Sequence, residues 1–259
     1  MDLTGIRGFL FDLDGCVYAG DSLLPGVAEV LARLRARGRA VAFLTNNSRQ
    51  SSEELLGKLT RLGIPAAADQ ILSGAGAAAP YLLERFGPTR VLATGSETLR
   101  RMLAAAGHAL VPLEEYREAR VVLVGHDFEF DYRRLTALSR AVAAGAAFVA
   151  VNLDARLPVE GGEFYPGCAA LAEAVAAVAG IRPQVIGKPE PYLFGLALSR
   201  LGLSPAETAM VGDSPRSDIL GATRAGLRTI WLAPPQLPAG EVRADLRIRD
   251  FAELLERLG

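Results

Sequence analysis

The first apolar run of the chain, Gly8-Phe9-Leu10-Phe11, is continuous rather than alternating and is bounded by glycine. That pattern predicts a strand buried on both faces of a parallel sheet. It runs into Asp12-Leu13-Asp14-Gly15, so two carboxylates fall at the carboxyl end of a strand, the edge where such sheets bind ligands. Helical spacing follows over 26–37, where Val27, Val30, Leu31 and Leu34 share a face and Gly38 supplies a stop. A second short apolar run at 40–44 ends in Thr45-Asn46-Asn47, and Ser51-Ser52-Glu53-Glu54 opens a helix closed by Gly63. The same alternation returns late in the chain. A helix over 191–201 precedes the run 209–211 and Gly212-Asp213, and a helix over 218–225 leads to a strand at 229–232. The fold class expected is α/β, a doubly wound parallel sheet with right-handed crossovers.

The middle of the chain adds further units: strands at 91–93, 121–124 and 148–151, with helices over 97–106 and 132–144. One sheet holding all of them would be unusually wide, so a second α/β module inserted into the first is the economical arrangement. The expected division is 1–80 and 182–259 for the core and 81–181 for the insert. The stretch Gly74-Ala75-Gly76-Ala77-Ala78-Ala79 superficially fits a dinucleotide fingerprint, with Glu97 downstream. The strand signal before it is poor and Pro80 interrupts the helix start, so a small-residue turn is the better reading. Pro234-Pro235 with Pro238 reads as a surface loop.

Composition narrows the picture. Half of the 259 residues are hydrophobic, enough for a sizeable core. Basic and acidic residues nearly cancel, 28 against 29, which argues against a nucleic-acid surface. Cys16 and Cys168 suggest neither a disulfide framework nor a zinc cluster. The N-terminus lacks a secretory pattern and no apolar stretch is long enough to span a bilayer, so a cytoplasmic protein without membrane contact is expected.

Four segments place polar groups at strand ends or helix starts: Asp12/Asp14, Thr45-Asn46, Gly187-Lys188-Pro189, and Gly212-Asp213 with Asp218. In a parallel sheet these ends share one edge. Two close carboxylates repel by about 5 kcal/mol at an effective dielectric of about 20. A bound cation, a shared proton or both would offset that, although a purely structural pair capping a turn fits the spacing too. Together the segments offer four carboxylates, one ammonium, a hydroxyl and an amide, an inventory suited to Mg²⁺ and to phosphoryl transfer.

In this order the motifs resemble those of the haloacid dehalogenase-like hydrolases, in the subfamily IIA branch of NagD-like, nitrophenyl, phosphoglycolate and pyridoxal phosphatases. The resemblance runs over essentially the whole chain. It implies a Rossmann-like core with a type II α/β cap covering the catalytic edge, and a Mg²⁺-dependent phosphatase of small phosphorylated metabolites. Asp12 would attack phosphorus and form an aspartyl-phosphate. Asp14 would protonate the leaving alcohol and later activate water. Thr45, Asn46 and Lys188 would hold the phosphoryl group. The ion would sit on Asp12, the Asp14 carbonyl and Asp213, with Asp218 binding directly or through water. An Asp at position 14 favours a phosphatase over a dehalogenase or a cation-pumping ATPase.

In the cap, Asn152-Leu153-Asp154 resembles the family's Asn-x-Asp turn, with Asp154 either approaching the site or only forming a turn. His126-Asp127 follows a cap strand and would face substrate. Pro166-Gly167-Cys168 is expected to start a helix. The family permits a homodimer through the cap. Cys16 reads as packing or redox-sensitive rather than catalytic, and Trp231 as core. Two rival functions stand beside the phosphatase: a phosphometabolite-binding regulatory protein with little turnover, and a dinucleotide-dependent oxidoreductase.

Overall fold

The computed structural model describes residues 2–158, 163–233 and 243–259. Its first third holds β1 (Gly8–Asp12), the hairpin strands β2 (Tyr18–Ala19) and β3 (Ser22–Leu23), α1 (Val27–Ala36), β4 (Ala40–Thr45), α2 (Ser52–Arg61), β5 (Ile71–Ser73) and α3 (Gly74–Phe86). Next come β6 (Arg90–Thr94), α4 (Glu97–Ala105), β7 (Ala109–Leu110), β8 (Val121–Val124), α5 (Tyr132–Ala143) and β9 (Ala147–Ala150). They are followed by β10 (Arg156–Pro158), β11 (Phe164–Pro166), α6 (Cys168–Ala179) and β12 (Gln184–Val185). The remaining elements are α7 (Pro191–Leu201), β13 (Thr208–Gly212), α8 (Leu220–Arg224), β14 (Arg228–Leu232), β15 (Leu246–Ile248) and α9 (Phe251–Leu258).

Two compact units result. The first comprises Met1–Thr45, Ser52–Leu72 and Lys188–Gly259, the second Asn46–Ser51 and Ser73–Gly187. Both are mixed α/β with parallel sheets, as the alternation predicts. In the first unit six strands lie in the order β15-β14-β13-β1-β4-β5. β1 pairs in parallel with both β4 and β13. From β1 the chain progresses outward to β4 and β5 on one side, and later to β14 and β15 on the other. The strand order therefore reverses beside β1, which makes the carboxyl end of β1 the topological switch point.

Every residue of β1 is buried, as a central strand covered on both faces requires. Phe9 and Phe11 share one face, where Phe11 packs against Phe43 and Phe251 with ring centroids 6.4 Å apart in each pair. Full burial of each such ring contributes about 1.5–3 kcal/mol. α1 presents Val27, Val30, Leu31 and Leu34 to the same core. Its end is set by Gly38, whose φ of +66° is the left-handed conformation that lets Arg39 N–H return to the Leu34 carbonyl.

The second unit is built on the parallel sheet β12-β9-β8-β6-β7. Its core joins Val122, Val124, Phe148 and Ala150 to Leu138 and Val142 of α5 and to Val175 of α6. α6 begins at Cys168, just after Pro166-Gly167. The division falls at Ser73 and Gly187 rather than at 81 and 181, because α3 groups with the second unit.

α3 corrects the small-residue turn expected at 74–79. β5 passes directly into a helix whose N-cap is Ser73, its hydroxyl accepting from Gly76 N–H at 3.0 Å. Pro80 lies inside that helix and withholds one bond from the Gly76 carbonyl, a loss the remaining turns absorb. Gly74 is needed for close packing. A Cβ there would lie 3.0 Å from the Asn46 carbonyl oxygen and 2.8 Å from Val151 Cγ1, so the glycine faces protein rather than an open phosphate cradle. The proline-rich stretch at 234–238 lies outside the described residues. No described helix is long and apolar enough to cross a membrane.

Candidate active site

β1 ends at Asp12, β4 at Thr45 and β13 at Gly212, so the first, second and fourth motifs emerge on one edge of the first unit's sheet. Asp12 is level with Leu44 in the parallel register. Lys188, which is 2% exposed, enters this edge and donates to Asp12 Oδ1 at 2.7 Å, Asp218 Oδ1 at 2.7 Å and the Leu44 carbonyl at 3.2 Å. A buried ammonium needs such partners, since desolvation alone would drive off its proton. Burial opposes its charge, but Asp12 and Asp218 together hold its pKa above the usual lysine value.

Asp218 is fully buried within a single π-helical turn, Pro215–Ile219, that leads into α8. Its second oxygen accepts from Ser214 N–H at 3.0 Å. Gly212 and Gly15 make room for the acids, because a Cβ on Gly212 would collide with Asp218 and one on Gly15 with Asp213. Gly15 also has a φ of +85°, which side-chain-bearing residues avoid. Trp231 is core, as its apolar strand suggests, but its indole N–H also donates to the Asp213 carbonyl at 3.0 Å and tethers the fourth-motif loop.

Asp12, Asp213 and Asp218 each offer a carboxylate oxygen within 4.8 Å of the others. Three carboxylates against one ammonium would, if all were ionised, leave two negative charges at a largely buried site. A hard divalent cation matches both the charge and the all-oxygen donor set. Without it the crowded acids resist ionisation. Burial and then Asp218 push the Asp213 carboxyl up to about 6, and burial followed by Asp218 raises Asp12 well above the carboxylate range. Asp14 is not among the three carboxylates; the role implied for it in holding the ion is through its carbonyl.

The raised acids set a pH signature. A carboxyl whose folded pKa lies above its unfolded value binds more protons in the native state, so its contribution is most favourable below about pH 4 and is lost as pH rises through about 6. Added Mg²⁺ is therefore expected to raise the melting temperature by several degrees at about pH 7.5 and by under about one degree at about pH 4.5. Thermal melts with and without the ion at both values check this; equal increments would refute it.

Alternation along an extended strand would point Asp12 and Asp14 the same way. The chain leaves β1 at Asp12, Leu13 turns fully into the core, and Asp14 is bridged to Tyr18, close enough for its charge to act on Asp213. Protein packed around the Asp14 carboxyl raises its pKa, with the charges of Lys58 and then Lys188 opposing that rise, although part of the side chain stays exposed. Neither Tyr18 nor Lys58 was singled out from the sequence. Tyr18 reads as one more core aromatic, and nothing in the pattern of α2 marks Lys58. Cys16 is fully buried, its thiol donating to the Val211 carbonyl, and burial plus Asp12 hold it protonated.

The remaining candidates lie in the second unit. Asn46 Nδ2 donates to Asp154 Oδ1 at 3.1 Å, and the Asn46 carbonyl accepts from Asn152 Nδ2 at 2.6 Å. Asp154 N–H in turn bonds Asn152 Oδ1 at 3.0 Å. Asp154 thus forms a turn and also holds Asn46. The spacing of Asn152 and Asp154 carries no sign of this distant partner. His126 is 6% exposed; its amide bonds the Ser48 hydroxyl, and burial followed by Arg49 lowers its pKa.

Residues 9–109 match the family described as haloacid dehalogenase-like hydrolase, and residues 185–253 a second HAD-like hydrolase family. The chain is 39% identical to mouse (Mus musculus) chronophin over 233 residues, 86% of this chain and 80% of that protein. It is 34% identical to glycerol-3-phosphate phosphatase of Homo sapiens, covering 93% and 83% of the two chains. The crystal structure of 4-nitrophenylphosphatase from Thermotoga maritima superposes with a TM-score of 0.91 at 28% identity, covering 99% of each chain. The chain belongs to the haloacid dehalogenase-like hydrolases, within their subfamily IIA of NagD-like and nitrophenyl phosphatases, and its enzyme class is phosphoric monoester hydrolase.

Proposed function

We propose that this enzyme is a Mg²⁺-dependent phosphatase of small phosphorylated metabolites that works through an aspartyl-phosphate on Asp12. The observation that carries the reading is the buried contact of Lys188 with Asp12 and Asp218 at 2.7 Å each. A fixed ammonium on Asp12 Oδ1 holds that carboxylate in one orientation and leaves Oδ2 as the nucleophile. Asp12, Asp213 and Asp218 would hold the ion, which when bound supplies positive charge for the phosphoryl oxygens. Thr45, at the end of β4 beside Asp12, offers a hydroxyl to the phosphoryl group, and the Asn46 amide is the second candidate donor. Asp14, still open to solvent, gives its proton to the departing alcohol and, as the resulting carboxylate, takes one from the water that hydrolyses the acyl phosphate.

The class of substrate is supported by the relatives, whose names include glycerol-3-phosphate phosphatase and, from Staphylococcus aureus, acid sugar phosphatase. The test is a phosphate-release screen over nucleotide, sugar, glycerol, glycolate and pyridoxal phosphates, with 4-nitrophenyl phosphate as a generic reporter, each with and without Mg²⁺. Turnover on at least one metabolite class that disappears on chelation is the expected result. Silence on the whole panel with Mg²⁺ present would favour a regulatory binding protein.

A further inference from the structure

Asp213 and Asp218 stand on one loop with carboxylate oxygens within 4.8 Å of each other, and their repulsion works to splay it. The loop closes partly on itself. Ser214 N–H donates to Asp218 Oδ2 at 3.0 Å, and the Ser214 carbonyl accepts from the amides of Asp218 and Ile219 at 3.0 and 3.3 Å. Each of these bonds involves Ser214 and a later residue. Asp213 is held from outside, by Trp231. In the parallel register of β13 and β14, Trp231 is level with Gly212, the residue before Asp213. Ile230 and Leu232 belong to the core that contains Phe11, so alternation turns Trp231 to the opposite face, where it clusters with Ile219 and Ala233. There its indole Nε1 donates to the Asp213 carbonyl at 3.0 Å. One side chain thus secures both ends of the acidic loop, by a hydrogen bond at Asp213 and by apolar packing at Ile219, next to Asp218. Arg247, level with Trp231 on β15, sets its guanidinium 5.1 Å from the ring centroid and steadies the ring.

We propose that Trp231 is a positioning residue for the cation site, its indole holding Asp213 and Asp218 convergent so that the site is formed before the ion arrives. The proposal rests on these acids holding the divalent ion of the phosphatase reaction. With the loop already fixed, binding orders little of the chain, and affinity rises by that saving in entropy. Outer partners of metal ligands act in this way. The dependence is reciprocal: if the indole bond favours the ion, the ion must favour the indole bond by the same factor. An indole that only fills the core has neither effect.

Both directions of that coupling are measured on the full chain. Trp231→Phe keeps an aromatic ring in the cluster with Ile219 and removes the N–H. Calorimetric titration with Mg²⁺ at about pH 7.5 should give a Kd about five- to tenfold weaker than that of the natural protein. A lowered melting temperature with unchanged Mg²⁺ affinity would reduce Trp231 to core packing and overturn the proposal. The second measurement needs no substitution and decides the matter should Trp231→Phe fail to fold. The chain has one tryptophan, so its indole N–H gives a single resonance in a ¹⁵N-labelled sample. An opening of the loop that frees this proton to exchange with solvent also releases the ion, so exchange slows as Mg²⁺ saturates the site. At about fifty times Kd the expected slowing is about tenfold or more. An exchange rate indifferent to saturating Mg²⁺ would overturn the proposal. A natural protein that takes up no Mg²⁺ at all would instead overturn the reading of the three acids as an ion site, and the assignment of Trp231 with it.

Discussion

Asp12→Asn is expected to release no phosphate above background, a fall of about 10⁴-fold or more, from any substrate the natural enzyme hydrolyses. The amide matches the carboxylate in shape but has no anionic oxygen to attack phosphorus. The fold should not suffer. Burial, reinforced by Asp218, already raises the Asp12 pKa, so folding favours its neutral form over its charged one. Lys188 keeps its 2.7 Å contact with Asp218 and its bond to the Leu44 carbonyl. The variant is therefore predicted to melt at or above the temperature of the metal-free natural protein while being inert. Steady-state phosphate release and a thermal melt decide the matter together, and substantial turnover in a well-folded variant would remove Asp12 from the nucleophile's position.

Lys188→Met should be damaging to stability as well as to activity. The side chain is 2% exposed and is the cation paired directly with Asp12 and Asp218. Removing one partner of a buried ion pair leaves uncompensated charge and costs about 3–5 kcal/mol. The acids relieve part of that cost by taking up protons, so the deficit should be smaller near pH 5 than near pH 8. Urea unfolding at the two values measures it. Combining Lys188→Met with Asp12→Asn removes one of the stranded charges, so the double variant should be more stable than Lys188→Met alone, the coupling expected of groups in direct contact. Additive costs would show that the triad does not act as an electrostatic unit.

The parts of the fold legible beforehand are those where local chemistry and long-range packing agree. The continuous apolar run before Asp12 had to be a buried strand, and the helical stripe Val27, Val30, Leu31 and Leu34 had to face a core. α3 was misread because its cues conflict: Pro80 and paired glycines speak against a helix, while the Ser73 cap and the packing of Gly74 against Asn46 and Val151 secure one. The candidate site shows the same split. Asp12, Asp14, Lys188 and Asp213 could be picked out by residue type and by their place at strand ends. The placing of Lys58 over the Tyr18 ring beside Asp14 could not, nor could the bonds joining Asn152 and Asp154 to Asn46. Each joins an ordinary residue to a partner through a contact that leaves no periodic trace.

The amino-acid order by itself determined the alternation of strands and helices, the presence of an insert, and the four polar segments, because backbone periodicity and strand-end position are local properties. Only tertiary structure decided which oxygen of Asp12 meets Lys188, how tightly three acids crowd, and what surrounds Asp14. Those depend on separations of a few ångströms between segments up to 176 positions apart, and at that range electrostatic and hydrogen-bond energies change steeply with distance.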